Sequence, residues 1–126
     1  MTGKEVYSAA LSLISQRDSE EPLWAEQAVG WLNIALYEVL PYDNALRVYG
    51  GQAPVFNVQR ITSLEEKLPL HDRLFAAMAE LLAAQLWTVQ DEGYKAQDCR
   101  TRAEMELKDC VAVNPEPIRD VYWGRC

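Results

Sequence analysis

An apolar run over residues 74–87, Leu-Phe-Ala-Ala-Met-Ala-Glu-Leu-Leu-Ala-Ala-Gln-Leu-Trp, leaves this chain few ways to fold. Broken only by Glu80 and Gln85, the run is about two thirds of the ~20 residues that a membrane span needs. It is also too apolar to face water, so other elements must wrap around it. Leu74, Met78, Leu81, Leu82, Gln85, Leu86 and Val89 form one helical stripe, and alanines at 76, 77, 79, 83 and 84 let neighbouring helices approach closely. The spacing predicts a core helix. It begins near His71 and Asp72, where a carboxylate suits the helix dipole, and breaks at Asp91, Glu92 and Gly93.

Three further helices supply the wrapping. Thr2 and Glu5 have the spacing of a capping box, and Val6, Ala9, Ala10, Leu13 and Ile14 follow at helical intervals, predicting a first helix to about Gln16. Residues 17–21 are a polar break, and Pro22 suits the first position of a second helix. Leu23, Trp24, Ala28, Trp31, Leu32, Ala35, Leu36, Val39 and Leu40 step along it until Pro41 kinks or ends it, and residues 42–49 add a short helical turn. Gly30 costs that helix up to ~1 kcal/mol relative to Ala, which packing of the neighbouring Trp side chains can offset. A fourth helix carries Ala96, Cys99, Ala103, Leu107, Cys110 and Val111 on one side, packs back antiparallel, and ends before Asn114 and Pro115. The expected fold is all-α: a small bundle of about four helices over residues 1–113, with one extended loop segment and an extended C-terminal arm over 114–126.

Two segments resist helix formation. Gly50, Gly51 and Pro54 punctuate a loop, and residues 55–61, Val-Phe-Asn-Val-Gln-Arg-Ile, are rich in β-branched side chains and read as extended. One short strand has no partner within such a chain. It is either an ordinary ordered loop or a segment that pairs across molecules, which makes Val55, Phe56, Val58 and Arg60 candidate partner contacts. The arm contains Pro115 and Pro117 and four apolar side chains, Ile118, Val121, Tyr122 and Trp123, that water disfavours. They either fold back on the chain's own core or anchor on a partner, where Tyr and Trp are favoured.

Composition narrows the function by exclusion. Twelve Lys and Arg against 19 Asp and Glu give a net charge of −7, and the basic residues are dispersed among acids, so neither a DNA-coating surface nor sequence-specific DNA reading is expected. The beginning of the sequence lacks a basic region followed by an apolar one, which suggests a protein that stays in the cytoplasm. Cys99 and Cys110 share a helix face but stand roughly 16 Å apart along it, too far for a disulfide. They read as small reduced thiols, and Cys126 as an exposed one. With no Cys-x-x-Cys and a single imidazole, His71, no metal site is expected. Phosphate-loop, dinucleotide, nucleophile-elbow and zinc-protease motifs are all absent, so neither catalysis nor a cofactor is expected. His71 reads as a surface or capping residue, and Glu65 with Glu66 as a solvated pair pointing apart.

The segment Ile61-Thr-Ser-Leu-Glu-Glu-Lys-Leu-Pro-Leu-His-Asp-Arg-Leu, then the Leu- and Ala-rich helix, an acidic break and a further helix, resembles the small head-to-tail connector (adaptor) proteins of tailed bacteriophages. The likeness rests on an I-x-x-L-x-x-x-L-P-L stretch, here Ile61, Leu64, Leu68, Pro69 and Leu70, and on the order of elements over residues 4–112. It implies a non-catalytic virion protein at the neck between head and tail. Such a subunit forms a homo-oligomeric ring of about a dozen copies, joins the portal protein to a stopper or tail-completion protein, and leaves a channel through which DNA passes without sequence-specific binding. An acidic lining suits that channel, because it repels phosphates. The arm is then a docking element toward the portal or a neighbouring subunit, and residues 50–60 contact the next ring. The alternative is a small cytoplasmic helical interaction or regulatory module that pairs as a dimer through the arm or through Trp24 and Trp31. An accessory subunit of an enzyme is a third reading.

Overall fold

The computed structural model describes residues 1–14 and 22–112, and all regular structure among them is helical. Helix α1 spans Gly3–Leu13, α2 spans Pro22–Tyr49, α3 spans Phe75–Val89 and α4 spans Gly93–Ala112. The all-α bundle expected from the periodicity is the observed architecture. No helix among the described residues is long and apolar enough to cross a membrane.

Helix α3 is the centre. Every position from 77 to 84 is buried, so that stretch has no solvent face, and the helix packs against α1, α2 and α4. Around it sit Val6, Tyr7, Ala10, Leu11 and Ile14 of α1, Leu32, Leu36 and Val39 of α2, and Cys99, Ala103 and Leu107 of α4. Val89, expected on the core stripe, is half exposed at the helix end. Helix α1 stops at Leu13 with Ile14 as its C-cap, earlier than predicted, and Leu13 is exposed while Tyr7 and Leu11 take the buried face. The predicted capping box is present: the Glu5 amide donates to Thr2 Oγ1 at 3.2 Å, and the Thr2 amide donates to Glu5 Oε1 at 2.7 Å.

Of the two outcomes open at Pro41, the helix does not end there: α2 continues through it to Tyr49. Proline removes one helical hydrogen bond and costs ~3 kcal/mol in a helix interior. Here Pro41 is exposed, so water can solvate the carbonyl that loses its partner, and the flanking turn is held from outside by Asp43 and Asn44.

Both long helices that lead into loops stop in the same way. At the end of α2, Gly51 adopts φ +84°, its amide donates to the Val48 carbonyl at 3.0 Å, and the Gln52 amide donates to the Arg47 carbonyl at 2.7 Å. At the end of α3, Asp91 takes the left-handed conformation with φ +61°, its amide donates to Thr88 at 3.0 Å, and the Glu92 amide donates to Trp87 at 2.9 Å. These are two Schellman caps, one on glycine and one on a residue that pays a small steric penalty. The second break therefore turns on Asp91, while Gly93 opens α4. As predicted, α3 and α4 form an antiparallel hairpin. Arg102 of α4 reaches back across it, donating through Nε to Glu80 Oε2 at 3.0 Å. His71 caps the short 3₁₀ turn Asp72–Leu74 that leads into α3, accepting the Arg73 amide on Nδ1 at 3.1 Å.

Candidate functional site

Residues 52–71 cross the outside of α2 without forming a strand, and α2 itself holds them. Two asparagines about three turns apart on α2 point to the same side. Asn44 clips Val55, donating Nδ2 to its carbonyl at 2.8 Å and accepting its amide on Oδ1 at 2.8 Å. Asn33 clips Ile61 in the same two-way fashion, at 3.0 and 2.9 Å. Each side-chain amide imitates the paired donor and acceptor of a neighbouring strand. Of the two readings open for the extended segment, the ordered loop is the one observed: it forms no strand, and its backbone is hydrogen-bonded within the chain at Val55 and Ile61.

Burial along this segment follows a period of three. Val55, Val58 and Ile61 turn inward, Val58 against the core, while Phe56, Asn57, Gln59 and Arg60 face outward. That is the repeat of a polyproline-type chain rather than the alternation of a strand. Of the candidate partner contacts, Phe56 is 83% exposed and Arg60 is exposed, whereas Val55 and Val58 are half-buried supports. Ile118, Val121, Tyr122 and Trp123 lie outside the described residues.

Beyond Ile61 the loop closes onto α1. The Gly3 amide donates to the Glu66 carbonyl at 3.1 Å and the Lys4 amide to the Leu64 carbonyl at 2.7 Å, so two of the unpaired donors that open a helix are used to hold the loop. Gly3 suits this close approach: a Cβ there would stand 3.2 Å from the Leu64 Cα and 3.3 Å from Ile61 Cδ1, so the loop would have to give by a few tenths of an ångström. Within the turn, Glu66 accepts the Thr62 hydroxyl, the Thr62 amide at 2.8 Å and the Ser63 amide at 3.0 Å. The Thr62 hydroxyl above all, then the two amides, hold the Glu66 carboxyl below the usual glutamate range despite partial desolvation. Glu66 is thus a turn lock, where the sequence suggested only a solvated acid.

Further along, Asp43 is the buried polar centre of the site. It accepts Arg47 Nε at 2.8 Å and the His71 amide at 2.9 Å, tying the end of the loop to α2. A cavity of about 150 Å³ lies beneath the segment, between Leu36, Leu40 and Arg47 of α2 and Val58 and Leu70 of the loop. Ile61 and Leu68 are buried in the core and Leu64 and Leu70 pack against it, so the I-x-x-L-x-x-x-L-P-L stretch is the apolar underside of the loop.

Sequence reading missed Asn33, Asn44 and Asp43. The available signal was chemical: Asn and Asp are poor residues for a helix interior because they compete for backbone hydrogen bonds, and three on one side of α2 mark a backbone held from the helix.

Neither thiol among the described residues is activated. Cys99 is buried, and Cys110 donates to the Arg73 carbonyl at 3.1 Å; burial pushes both pKa values up, so both are protonated at neutral pH. No cluster of three metal-ligating side chains occurs among the described residues. What the arrangement offers chemically is an outward-facing aromatic, Phe56, and a cation, Arg60, on a loop hydrogen-bonded to α2 at both ends. The chain matches no protein-family model, no curated protein and no solved structure.

Proposed function

We propose that this chain is a structural subunit of a phage head-to-tail connector, one of a ring of about a dozen copies that joins a portal protein to a stopper or tail-completion protein around a DNA channel. The observation that carries the reading is the pinned loop. Phe56 projects into solvent from a backbone fixed by Asn44 on one side and Asn33 on the other. An exposed aromatic normally costs solubility. On a backbone already hydrogen-bonded at both ends, less conformational entropy remains to be lost on binding, which suits an interface anchor. The loop is also where the connector-like Ile61, Leu64, Leu68, Pro69 and Leu70 lie, and they supply its apolar support. The acidic balance, −7 overall, suits a wall past which DNA slides.

The test is assembly. The purified full chain is mixed with a tailed-phage portal protein and then with a stopper protein, and the products are sized by native mass spectrometry and viewed by electron microscopy. A closed ring on the portal, with stopper docking lost in Phe56→Asp, supports the reading. A free dimer that ignores the portal overturns it and leaves a helical interaction module.

A further inference from the structure

We propose that Met105 of a neighbouring copy of this chain inserts into the hollow beneath residues 55–61, so that copies join head to tail. This names the contact between subunits of the ring proposed above and rests on that reading. The hollow measures about 150 Å³, with an apolar floor of Leu36 and Leu40 from α2 and Val58 and Leu70 from the loop. Small-molecule sites usually enclose ~300–1,000 Å³, whereas a hollow of this size takes one benzene-sized group, so a single side chain fits it better than a cofactor. Asp43 and Arg47 form its charged wall. Both oxygens of the buried Asp43 are occupied, Oδ2 by Arg47 Nε at 2.8 Å and Oδ1 by the His71 amide at 2.9 Å. That contact holds the guanidinium by Nε, and no hydrogen bond among the described residues engages either Nη. The open edge of a guanidinium is a fork for carboxylate oxygens.

The occupant follows from charge. The chain is acidic overall, at −7, yet residues 44–61 contain two arginines, Arg47 and Arg60, and no acid. A basic mouth on an acidic molecule calls for an apolar side chain with carboxylates beside it, and α4 offers one. Met105 is 60% exposed, and Glu104 and Glu106 on either side of it are exposed too. The cations one turn away point elsewhere: Arg102 turns back to Glu80, and Lys108 lines an apolar hollow with Pro41. Methionine is unbranched and adapts to irregular space. Socket and knob also lie on different faces. At 100° per residue Leu36, Leu40, Asp43 and Arg47 fall within about 60° of arc, roughly 180° around α2 from Glu38 and Ala45, which face α4. Met105 stands about 160° around α4 from its buried Ala103 and Leu107 side. A copy therefore cannot fill its own socket, and a pair exchanging this contact leaves a socket and a knob unused, which is the heterologous arrangement that builds rings.

Oxidative crosslinking tests this on the full chain carrying Cys126→Ser, with Met105→Cys and Gln59→Cys added together; both added thiols replace exposed side chains, so the core is untouched. Mild oxidation, of the free chain at high micromolar concentration and of the chain bound to a portal protein, is expected to give a ladder of dimer, trimer and larger species joined 59 to 105. Either cysteine alone is expected to give none. Adding Glu104→Lys and Glu106→Lys is expected to lower the ladder's yield about tenfold, because cations then face Arg47 and Arg60. Dimer without higher species, bonds other than 59 to 105, or a yield that the two lysines leave unchanged would each overturn the contact. Failure of the two readings is distinguishable: a ring on the portal with no such bond overturns the contact alone, whereas a ladder from a chain that ignores the portal overturns the connector reading and keeps the contact.

Discussion

Helix α3 and the segment 52–71 both rest against α2, but different forces fix them there. Helix α3 is buried at every position from 77 to 84 and held by apolar contact with three neighbours, a non-directional force that tolerates small shifts as long as volume is filled. The segment is held at discrete points by Asn33, Asn44 and Asp43 and by the amides that open α1, through hydrogen bonds that each fix one backbone group in one orientation. The first arrangement supplies stability and the second supplies shape. A molecule that must present a side chain such as Phe56 at a defined place needs the second kind, since burial alone would leave the loop free to slide.

This contrast can be broken from either side. Leu82 is fully buried in α3, and Leu82→Ala is expected to cost about 3 to 4 kcal/mol and lower the urea midpoint of the whole chain, loop and helices together. Asp43→Ala leaves the His71 amide and Arg47 without their shared partner and is expected to cost about 2 to 3 kcal/mol, with amide exchange rising first at His71. Asn44→Ala removes one clip and is expected to cost about 1 to 2 kcal/mol. Its signature is local: faster exchange of the Val55 amide, with the α3 amides unchanged. A uniform rise across α3 would show that loop and core are one cooperative unit.

The smallest effect is set by pH. Glu66 has a folded pKa below its ordinary 4.5, so its contribution is complete above that value and is lost as pH falls through the lower folded one. The Thr62 and Ser63 amide resonances are expected to titrate in that acid window while resonances of α3 stay fixed. Coincident titration of both would remove the distinction.

The two regions also differ in how legible they were. Helices announce themselves by a repeat, so α3 and α4, the capping box at Thr2 and the role of His71 as a cap were all readable from spacing. The path of α2 through Pro41 was not, because it depends on which side of the helix faces water and on clips supplied by distant residues. Which way the loop's side chains face was hidden for a related reason. Its β-branched composition describes local preference, whereas its period-three burial is imposed by α2 beneath it. Of the candidate contacts, all four were named alike from composition, and only the fold separates exposed Phe56 and Arg60 from half-buried Val55 and Val58. The asparagines that fix all four are far away in sequence, and only the fold brings them together.

The placement of both clips on one continuous helix also constrains how such a chain can diverge. A single residue inserted between Asn33 and Asn44 turns one clip by about 100° relative to the other and moves it ~1.5 Å along the axis. No rotamer restores both contacts, so the loop comes away at one end. Length changes in this stretch of α2 are tolerable only in steps that return the second asparagine to the same side, with a matching change in residues 55–61. Homologous chains should therefore vary freely in the side chains of this stretch while conserving its residue count. The helix acts as a ruler for the loop, and a gap falling between the two positions in an alignment marks a chain that has lost this presentation of Phe56.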